Sequence, residues 1–235
     1  MADSGAVTTT IEDGVAVVRF DDGKANVLSP DSIAQLGDAL DRAAVEATAV
    51  CIVGRPGKLC AGFDLSIMQA GPEAAKRLVA TGGELLMRLF VHPQPTVVAV
   101  TGHALAGGAL LVLSCDLRIA ADVPAKIGLN ETAIGMPLPR FALELAQDRL
   151  DRRHLTQATI QARIYDPREA EQAGYVDRVV PLNEVEGEAI GEARRLGQLN
   201  ANAYATTKRS LRQPIVDRTL ASAAADMERF FVEPG

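Results

Sequence analysis

The stretch "GHALAGGALLVLSCD", residues 102–116, is almost wholly apolar, yet it carries the adjacent glycines Gly107 and Gly108. Glycine loses more backbone entropy on folding than any other residue and is a poor helix former. A glycine pair inside an apolar segment therefore indicates that the backbone comes close to something, either a packed neighbour or a ligand. The apolar run continues as far as Leu113 without an acidic or basic side chain.

The segments around this stretch predict an alternation of strands and helices. Residues 48–54 and 96–102 are short, mainly apolar runs, as expected of buried strands. Residues 72–90 have a helical pattern between them, and helical patterns fill the last part of the chain. The sequence therefore predicts an α/β fold, with a core over residues 1–182 and a C-terminal helical region over residues 183–235.

Local signals define the N-terminal elements. Asp13-Gly14 between two β-rich runs predicts a hairpin turn. Ser29 followed by Pro30 predicts the N-cap and the first residue of a helix. The segment 55–64 is rich in turn-forming residues and is predicted to be a loop.

Composition excludes several classes of function. The chain has 235 residues and a formal net charge of −6, whereas nucleic-acid binders usually carry a basic patch or stripe. The longest apolar run is too short to span a membrane, and the N-terminal segment lacks the basic and apolar regions of a signal peptide. The three cysteines form no CxxC pair, which predicts reduced thiols and a cytoplasmic protein. The three histidines lack metal-ligand spacing, so no metal site is expected.

Two segments join a predicted strand to a helix through small residues. They are "CAGFDL", residues 60–65, and "ALAGGAL", residues 104–110. A helix N-terminus presents unpaired N–H groups with partial positive charge, and two such turns side by side would aim two donors at one oxygen. Either turn alone is more typical of close packing between a helix and a sheet. The chain has no dinucleotide-binding GxGxxG fingerprint, no P-loop and no GxSxG elbow.

Both segments lie in motifs that resemble those of the crotonase family, the enoyl-CoA hydratases and isomerases. "GKLCAGFDLSIM", residues 57–68, is similar to the first signature, and residues 96–121 are similar to the second. The resemblance also covers "GKANVLS" at 23–29, "KIGLNETAIGM" at 126–136 and "EAEQAGYVDRVVP" at 169–181. The motifs occur in the family's order and spacing.

The resemblance implies a fold, a substrate and an assembly. The fold is a spiral of ββα turns followed by a C-terminal helical region that is used in trimerisation. The substrate is an acyl-CoA thioester, and no separate cofactor is implied, because coenzyme A is part of the substrate. The expected assembly is a homotrimer or a hexamer. The backbone N–H groups of Phe63 and Gly107 match the oxyanion-hole donors that bind the thioester oxygen.

The motif positions also imply residues that contact coenzyme A. Lys24 matches a position near the nucleotide end, while Asp64 and Leu65 match positions beside the adenine and the pantetheine arm. Asp64 has an alternative interpretation as the N-cap of the short helix that follows it. The full set of expected substrate-binding residues is Lys24, Ala25, Ala61, Asp64, Leu65 and Leu110.

The acidic residues distinguish between reactions. Hydratases of the family place two glutamates over the substrate double bond, and this chain has Glu131 at one position and Leu110 at the other. In hydration, two carboxylates can share the delivery and the removal of protons. Double-bond migration needs only one group, which moves a proton from C2 to C4. The resemblance therefore favours isomerisation with Glu131 as the catalytic residue. No second carboxylate is placed by the sequence, although Glu84 is a candidate to replace it.

Alternative interpretations remain for Glu131 and for the function of the protein. The motif favours a catalytic Glu131, and the alternative interpretation is a surface or ion-paired carboxylate. As a catalytic base, Glu131 is expected to have a raised pKa beside the apolar Leu110, Ile134 and Met136. Asn130 stands where the family often has proline, which alters the expected acyl pocket. The competing function is that of an acyl-CoA-binding homologue with little or no catalytic activity.

Overall fold

The computed structural model describes residues 5–230, except for the side chains of Ala224, Met227, Arg229 and Phe230. The strands are β1 (Val7–Glu12), β2 (Val15–Phe20), β3 (Val27–Leu28), β4 (Ala49–Gly54), β5 (Gly57–Cys60), β6 (Gly62–Phe63), β7 (Thr96–Val100), β8 (Gly102–Leu105), β9 (Leu117–Ala121), β10 (Ile127–Gly128) and β11 (Arg178–Val180). The α-helices are α1 (Pro30–Glu46), α2 (Leu65–Met68), α3 (Pro72–Phe90), α4 (Gly107–Ser114), α5 (Arg140–Arg149), α6 (Leu155–Thr159), α7 (Pro167–Ala173), α8 (Val185–Gly197) and α9 (Ala201–Phe230). A single 3₁₀ turn, Thr132–Ile134, lies between β10 and α5.

The strands form three sheets that build a spiral. Six strands make the large sheet in the order β1-β2-β4-β7-β9-β11, in which β1 and β2 are antiparallel and the other pairs are parallel. Three strands make a second sheet in the order β10-β8-β5, and β3 pairs with β6 in a third. Successive turns of the chain give one strand to the large sheet and then one or two to the small sheets. This arrangement agrees with the spiral of ββα turns that the resemblance implies.

Several local predictions are confirmed. Asp13 and Gly14 both have positive φ in the turn between β1 and β2. Ser29 caps α1 in a capping box with Ser32, and Pro30 is the first residue of that helix.

The prediction of a loop over residues 55–64 is wrong. β5 and β6 lie in this segment and belong to the two small sheets. Both strands are too short to show an alternation of side chains, and their glycines resemble turn residues.

The C-terminal helices pack on the core in two different places. Val185, Ala189 and Ala193 of α8 are buried against the large sheet, in an apolar cluster distinct from the main core. α9 runs along α3 and α5 instead. The boundary between residues 182 and 183 falls between β11 and α8, and a separate helical region stays a prediction.

The cysteines are all buried and unpaired. No helix within residues 5–230 has both the length and the hydropathy of a membrane span.

A buried ionic cluster attaches α9 to the core. Asp116, at the end of the stretch quoted first, accepts hydrogen bonds from Lys208 Nζ at 2.6 Å, Arg212 Nη1 at 2.6 Å and the Tyr204 hydroxyl at 2.7 Å. Burial alone would raise the pKa of Asp116, but the charges of Lys208 and Arg212 hold it below its usual value. Because all these groups are paired, the cluster fixes the first half of α9 to the turn between α4 and β9.

Candidate active site

Sheet pairing brings the two glycine-bearing turns together. The Asp64 N–H donates to the Leu28 carbonyl oxygen at 3.1 Å, in the pairing of β6 with β3. Successive N–H groups of a strand point to opposite sides, so the Phe63 N–H points away from β3. A Cβ added to Gly62 would lie 3.3 Å from the Gly107 nitrogen. The backbone before Phe63 is therefore packed directly against the start of α4.

The N-terminus of α4 is open. Its first intrahelical hydrogen bond runs from the Leu110 N–H to the Ala106 carbonyl oxygen at 3.0 Å, and no side chain caps the helix. The N–H groups of Gly107 and the next two residues therefore have no partner within the helix. Ala106 has φ 49° and ψ −122°, which is a strained conformation for alanine. The Gly107 N–H thus lies at the positive end of the helix.

Glu131 is held near this helix by the second sheet. The Ala106 N–H donates to the Gly128 carbonyl oxygen at 3.0 Å where β8 meets β10, and Glu131 follows three residues later. Its side chain is buried, with 7% of the residue exposed, and Oε2 has no hydrogen-bond partner among the described residues. Burial raises the pKa of Glu131 to about 7, although the N–H groups of Glu131 and Asn130 oppose this shift.

These observations disfavour an exposed or ion-paired Glu131, because the carboxyl is buried and one of its oxygens is unpartnered among the described residues. The expected apolar surroundings are only partly present. Leu110 is 1% exposed within the main core, whereas Ile134 is 53% exposed.

Glu84 does not join this group. It lies on the exposed face of α3, in a groove between α3, α5 and α9 that also contains Arg140 and Asp226. Neither Glu131 nor Phe63 or Gly107, the two expected oxyanion-hole residues, line this groove. The structure therefore places Glu84 outside the candidate site.

The positions expected to contact coenzyme A have different environments. Asp64 caps α2, since its Oδ1 accepts from the Ser66 N–H at 2.9 Å and from the Ser66 hydroxyl at 2.6 Å. Its alternative interpretation as an N-cap is thus confirmed, and its contact with coenzyme A stays a prediction. Leu65 is 62% exposed beside it, and Lys24 is also exposed.

The loop that carries Lys24 is organised by a residue that the sequence interpretation missed. Asn26 is fully buried with φ 54°, and its Nδ2 donates to the carbonyl oxygens of Phe20 at 2.6 Å and Leu59 at 3.1 Å. The Asp22 carboxylate accepts from the N–H groups of Lys24 and Asn26. The loop is consequently fixed against β5.

A cleft of about 250 Å³ continues from this loop toward the oxyanion-hole turns. Two residues expected to contact coenzyme A, Ala25 and Ala61, line it. Its remaining lining residues were missed by the sequence interpretation, and they are Lys58, His103, Leu105 and Lys126. They lie within the matched motifs, but only the pairing of three strands brings them to one cleft.

Comparison with known proteins identifies the family. The family model described as enoyl-CoA hydratase/isomerase matches residues 10–234. The human mitochondrial enoyl-CoA delta isomerase 1 is 31% identical over 222 residues, covering 92% of this chain and 74% of that protein. A putative enoyl-CoA hydratase of Thermus thermophilus is 33% identical over 202 residues, covering 83% of this chain and 78% of that protein.

A solved structure agrees with the spiral architecture. An enoyl-CoA hydratase/isomerase family protein from Pseudomonas syringae superposes with a TM-score of 0.93 at 40% identity, covering 96% of this chain and 98% of that chain. The fold and the arrangement of the turns define an enzyme of the crotonase superfamily. The chain belongs to its enoyl-CoA hydratase/isomerase family.

Proposed function

We propose that this protein moves the double bond of a 3-enoyl-CoA to the 2-position, with Glu131 as its single proton-transferring residue. The observation that carries this proposal is the state of Glu131, a buried carboxyl with an unpartnered oxygen and a pKa of about 7. A group with that pKa is a carboxylate in about half of the molecules at neutral pH, and it both accepts and returns a proton readily.

The proposed reaction has two proton transfers. The Glu131 carboxylate removes a proton from C2, and the electron pair of that C–H bond moves toward the thioester oxygen to give a dienolate. The N–H groups of Phe63 and Gly107 stabilise the negative charge on this oxygen. The dienolate then collapses: the C=O bond re-forms, C2 and C3 become doubly bonded, and Glu131 returns its proton to C4. The sum is an isomerisation, with no water and no cofactor consumed.

Leu110 supports isomerisation over hydration. A hydratase of this family has a glutamate there to share the addition of water, and a buried leucine supplies neither an acid nor a base. The human relative is named an isomerase, which agrees with this choice, while the Thermus relative is named a putative hydratase. A binding protein without activity would have no need of a buried carboxyl with one oxygen unpartnered among the described residues, which costs stability.

The test compares Glu131→Gln with the wild-type protein on a 3-enoyl-CoA and a 2-enoyl-CoA. Glutamine keeps the shape but cannot act as the base, so we expect kcat for isomerisation to fall by about 10²–10⁴-fold. CoA binding should change little, because the carrier is bound elsewhere. Glu84→Gln is the matched control and should retain activity. Full isomerase activity in Glu131→Gln would refute the assignment.

A further inference from the structure

Two adjacent glycines lie in the middle of α3, and both are buried. Glycine is less favourable than alanine inside a helix, because it loses more backbone entropy on folding. A Cβ added to Gly82 would lie 2.2 Å from Cε1 of Phe63. A Cβ added to Gly83 would lie 2.7 Å from Cδ1 of Phe141. The two glycines therefore make room for two aromatic rings, neither of which could stay in place beside an alanine.

The two rings belong to different parts of the protein. Phe141 lies on α5, and together with Gly83 it lines the groove between α3, α5 and α9 that lies outside the candidate site. Phe63 instead carries one of the two expected oxyanion-hole donors on its own backbone. Gly82 is therefore in contact with the candidate site through a side chain, whereas its neighbour Gly83 is not.

The Phe63 ring lies between α3 and α4. The edge with Cε1 and Cδ1 faces Gly82, as the distances from an added Cβ show. The opposite edge faces the first residue of α4, because a Cβ added to Gly107 would lie 3.3 Å from Cε2 and 3.4 Å from Cδ2. Gly107 carries the second expected donor. A single ring thus contacts the helix that makes room for it and the residue that bears the other N–H group.

The backbone of Phe63 has limited support of its own. β6 has only two residues, so its ladder hydrogen bonds are few. The residue before Phe63 is packed tightly, since a Cβ added to Gly62 would lie 3.0 Å from the Leu105 carbonyl oxygen. The residue after it is held by the hydrogen bond from the Asp64 N–H to the Leu28 carbonyl oxygen. Between these two points, the packing of the ring sets the orientation of the Phe63 peptide.

We propose that Gly82 is a positioning residue: the space at Gly82 accommodates the Phe63 ring and so aligns the Phe63 N–H with the Gly107 N–H at one oxygen. This inference rests on the proposed function for the role of the two N–H groups. A methyl group at position 82 would push the ring toward α4, where Gly107 and Leu28 already lie close. The displacement must then pass to β6, and an error of about 1 Å in such a site can cost about 10²-fold in rate.

The experiment is a double-mutant cycle on the isomerisation of a 3-enoyl-CoA, with Gly82→Ala, Phe63→Ala and the double variant. We expect Gly82→Ala to lower kcat about 10–10²-fold with little change in KM, because the donors act mainly in the transition state. In the Phe63→Ala background the new methyl group meets no ring. The double variant should therefore have the kcat of Phe63→Ala, whereas a general weakening of α3 would lower kcat in both backgrounds alike.

Gly83→Ala is the matched control, because it makes the same substitution in the same helix and displaces a ring outside the site. Its kcat should equal that of the wild-type protein. An equal loss of kcat in Gly83→Ala, an unchanged kcat in Gly82→Ala, or the same loss from Gly82→Ala in both backgrounds would overturn the inference. Phe63→Leu serves if Gly82→Ala does not fold, since it removes the ring without a collision. We expect its kcat to be about tenfold lower, and a wild-type kcat would overturn the inference.

Infrared spectroscopy of a bound, saturated acyl-CoA separates this inference from the proposed reaction, because it needs no turnover. Hydrogen bonds from the two N–H groups polarise the thioester C=O bond and lower its stretching frequency. We expect this shift to be smaller in Gly82→Ala and unchanged in Gly83→Ala. A protein that shows this pattern but isomerises no 3-enoyl-CoA would refute the reaction and support the role of Gly82. A protein that isomerises normally and has the same frequency in Gly82→Ala as in the wild type would refute the role of Gly82 alone.

Discussion

The carbonyl oxygen of Cys60 occupies the space that a side chain at position 108 would need. A Cβ added to Gly108 would lie 2.1 Å from that oxygen, far closer than any real contact. Gly107 is different, because a Cβ there would meet the side chains of Leu28 at 3.0 Å and Phe63 at 3.3 Å. The two glycines therefore differ: Gly108 lets α4 pack on the backbone of β5, whereas Gly107 lies close to two side chains.

We expect Gly108→Ala to destabilise the protein much more than Gly107→Ala does. In Gly108→Ala the backbone of β5 or α4 must move, which costs at least about 1–3 kcal/mol as for other overpacked cores. In Gly107→Ala the opposing atoms belong to side chains that can rotate. Urea unfolding of both variants measures the difference, and equal stabilities would contradict this explanation of the pair.

The amide of Phe63 is tested by comparing Phe63→Pro with Phe63→Ala. Both variants lose the aromatic ring, which packs against Gly82 of α3, but only proline also removes the N–H donor. Loss of one oxyanion donor typically lowers kcat about 10²–10³-fold. We therefore expect Phe63→Pro to be slower than Phe63→Ala by about this factor. Equal kcat values in two folded variants would mean that another group binds the thioester oxygen.

The sequence predicted the elements whose signals are local. The hairpin at Asp13-Gly14, the cap at Ser29 and the helix over residues 72–90 each depend on a few adjacent residues. The spiral fold was predicted from the family motifs, because no periodic pattern in the sequence indicates it.

The features that the sequence did not predict depend on pairing between distant strands. Lys58 and His103 are 45 residues apart, and only the register of β5 with β8 makes them neighbours. Both strands are too short for the sequence to indicate which side chains share a face of the sheet. Likewise, the contact between Gly108 and Cys60 depends on how α4 packs on β5. The sequence alone therefore left two explanations for the glycine pair, a packed neighbour or a ligand.

Self-association is expected through the beginning and middle of α9. Leu199 is 49% exposed just before this helix, and Leu211 is 71% exposed on it, beside a groove of about 530 Å³. We expect sedimentation to give the mass of an assembly whose number of 24.8 kDa chains is a multiple of three. The variant Leu211→Asp should shift the protein toward the monomer. Val45→Asp on α1, where Val45 is 86% exposed, is the matched control and should leave the assembly intact. A stable, active wild-type monomer at micromolar concentration would contradict the expectation.

The pKa of Glu131 predicts how both activity and stability depend on pH. Activity should rise with pH through an apparent pKa near 7, since the carboxylate is the base. Stability should change in the opposite direction. Burial raises the pKa of Glu131 from 4.5 to about 7, so the folded state binds the proton more tightly and loses stability as pH rises between these values.

Glu131→Gln removes this ionisation and should be more stable than the wild-type protein at pH 8. The difference is roughly 3.5 kcal/mol at most, at about 1.4 kcal/mol for each pKa unit. At pH 4 the two proteins should have similar free energies of unfolding, because the wild-type carboxyl is then protonated. Urea unfolding at both values measures this, and a less stable variant at pH 8 would show that the ionised carboxyl is stabilised by partners.

Leu110→Glu tests whether one missing carboxylate separates isomerisation from hydration. Leucine and glutamate have similar reach, so the new carboxyl would lie in the buried position that Leu110 now fills, at 1% exposure. Placing it near Glu131 favours a state in which one of the two carboxyls stays protonated, and that proton is what the addition of water to a 2-enoyl-CoA requires. We expect Leu110→Glu to hydrate a 2-enoyl-CoA faster than the wild-type protein, with a loss of stability that is smaller at low pH. Leu110→Gln is the matched control, because it introduces a polar group of the same shape without an ionisable proton. Equal hydration rates in the two variants, or rapid hydration without isomerisation by the wild-type protein, would show that some other group already supplies the second acid.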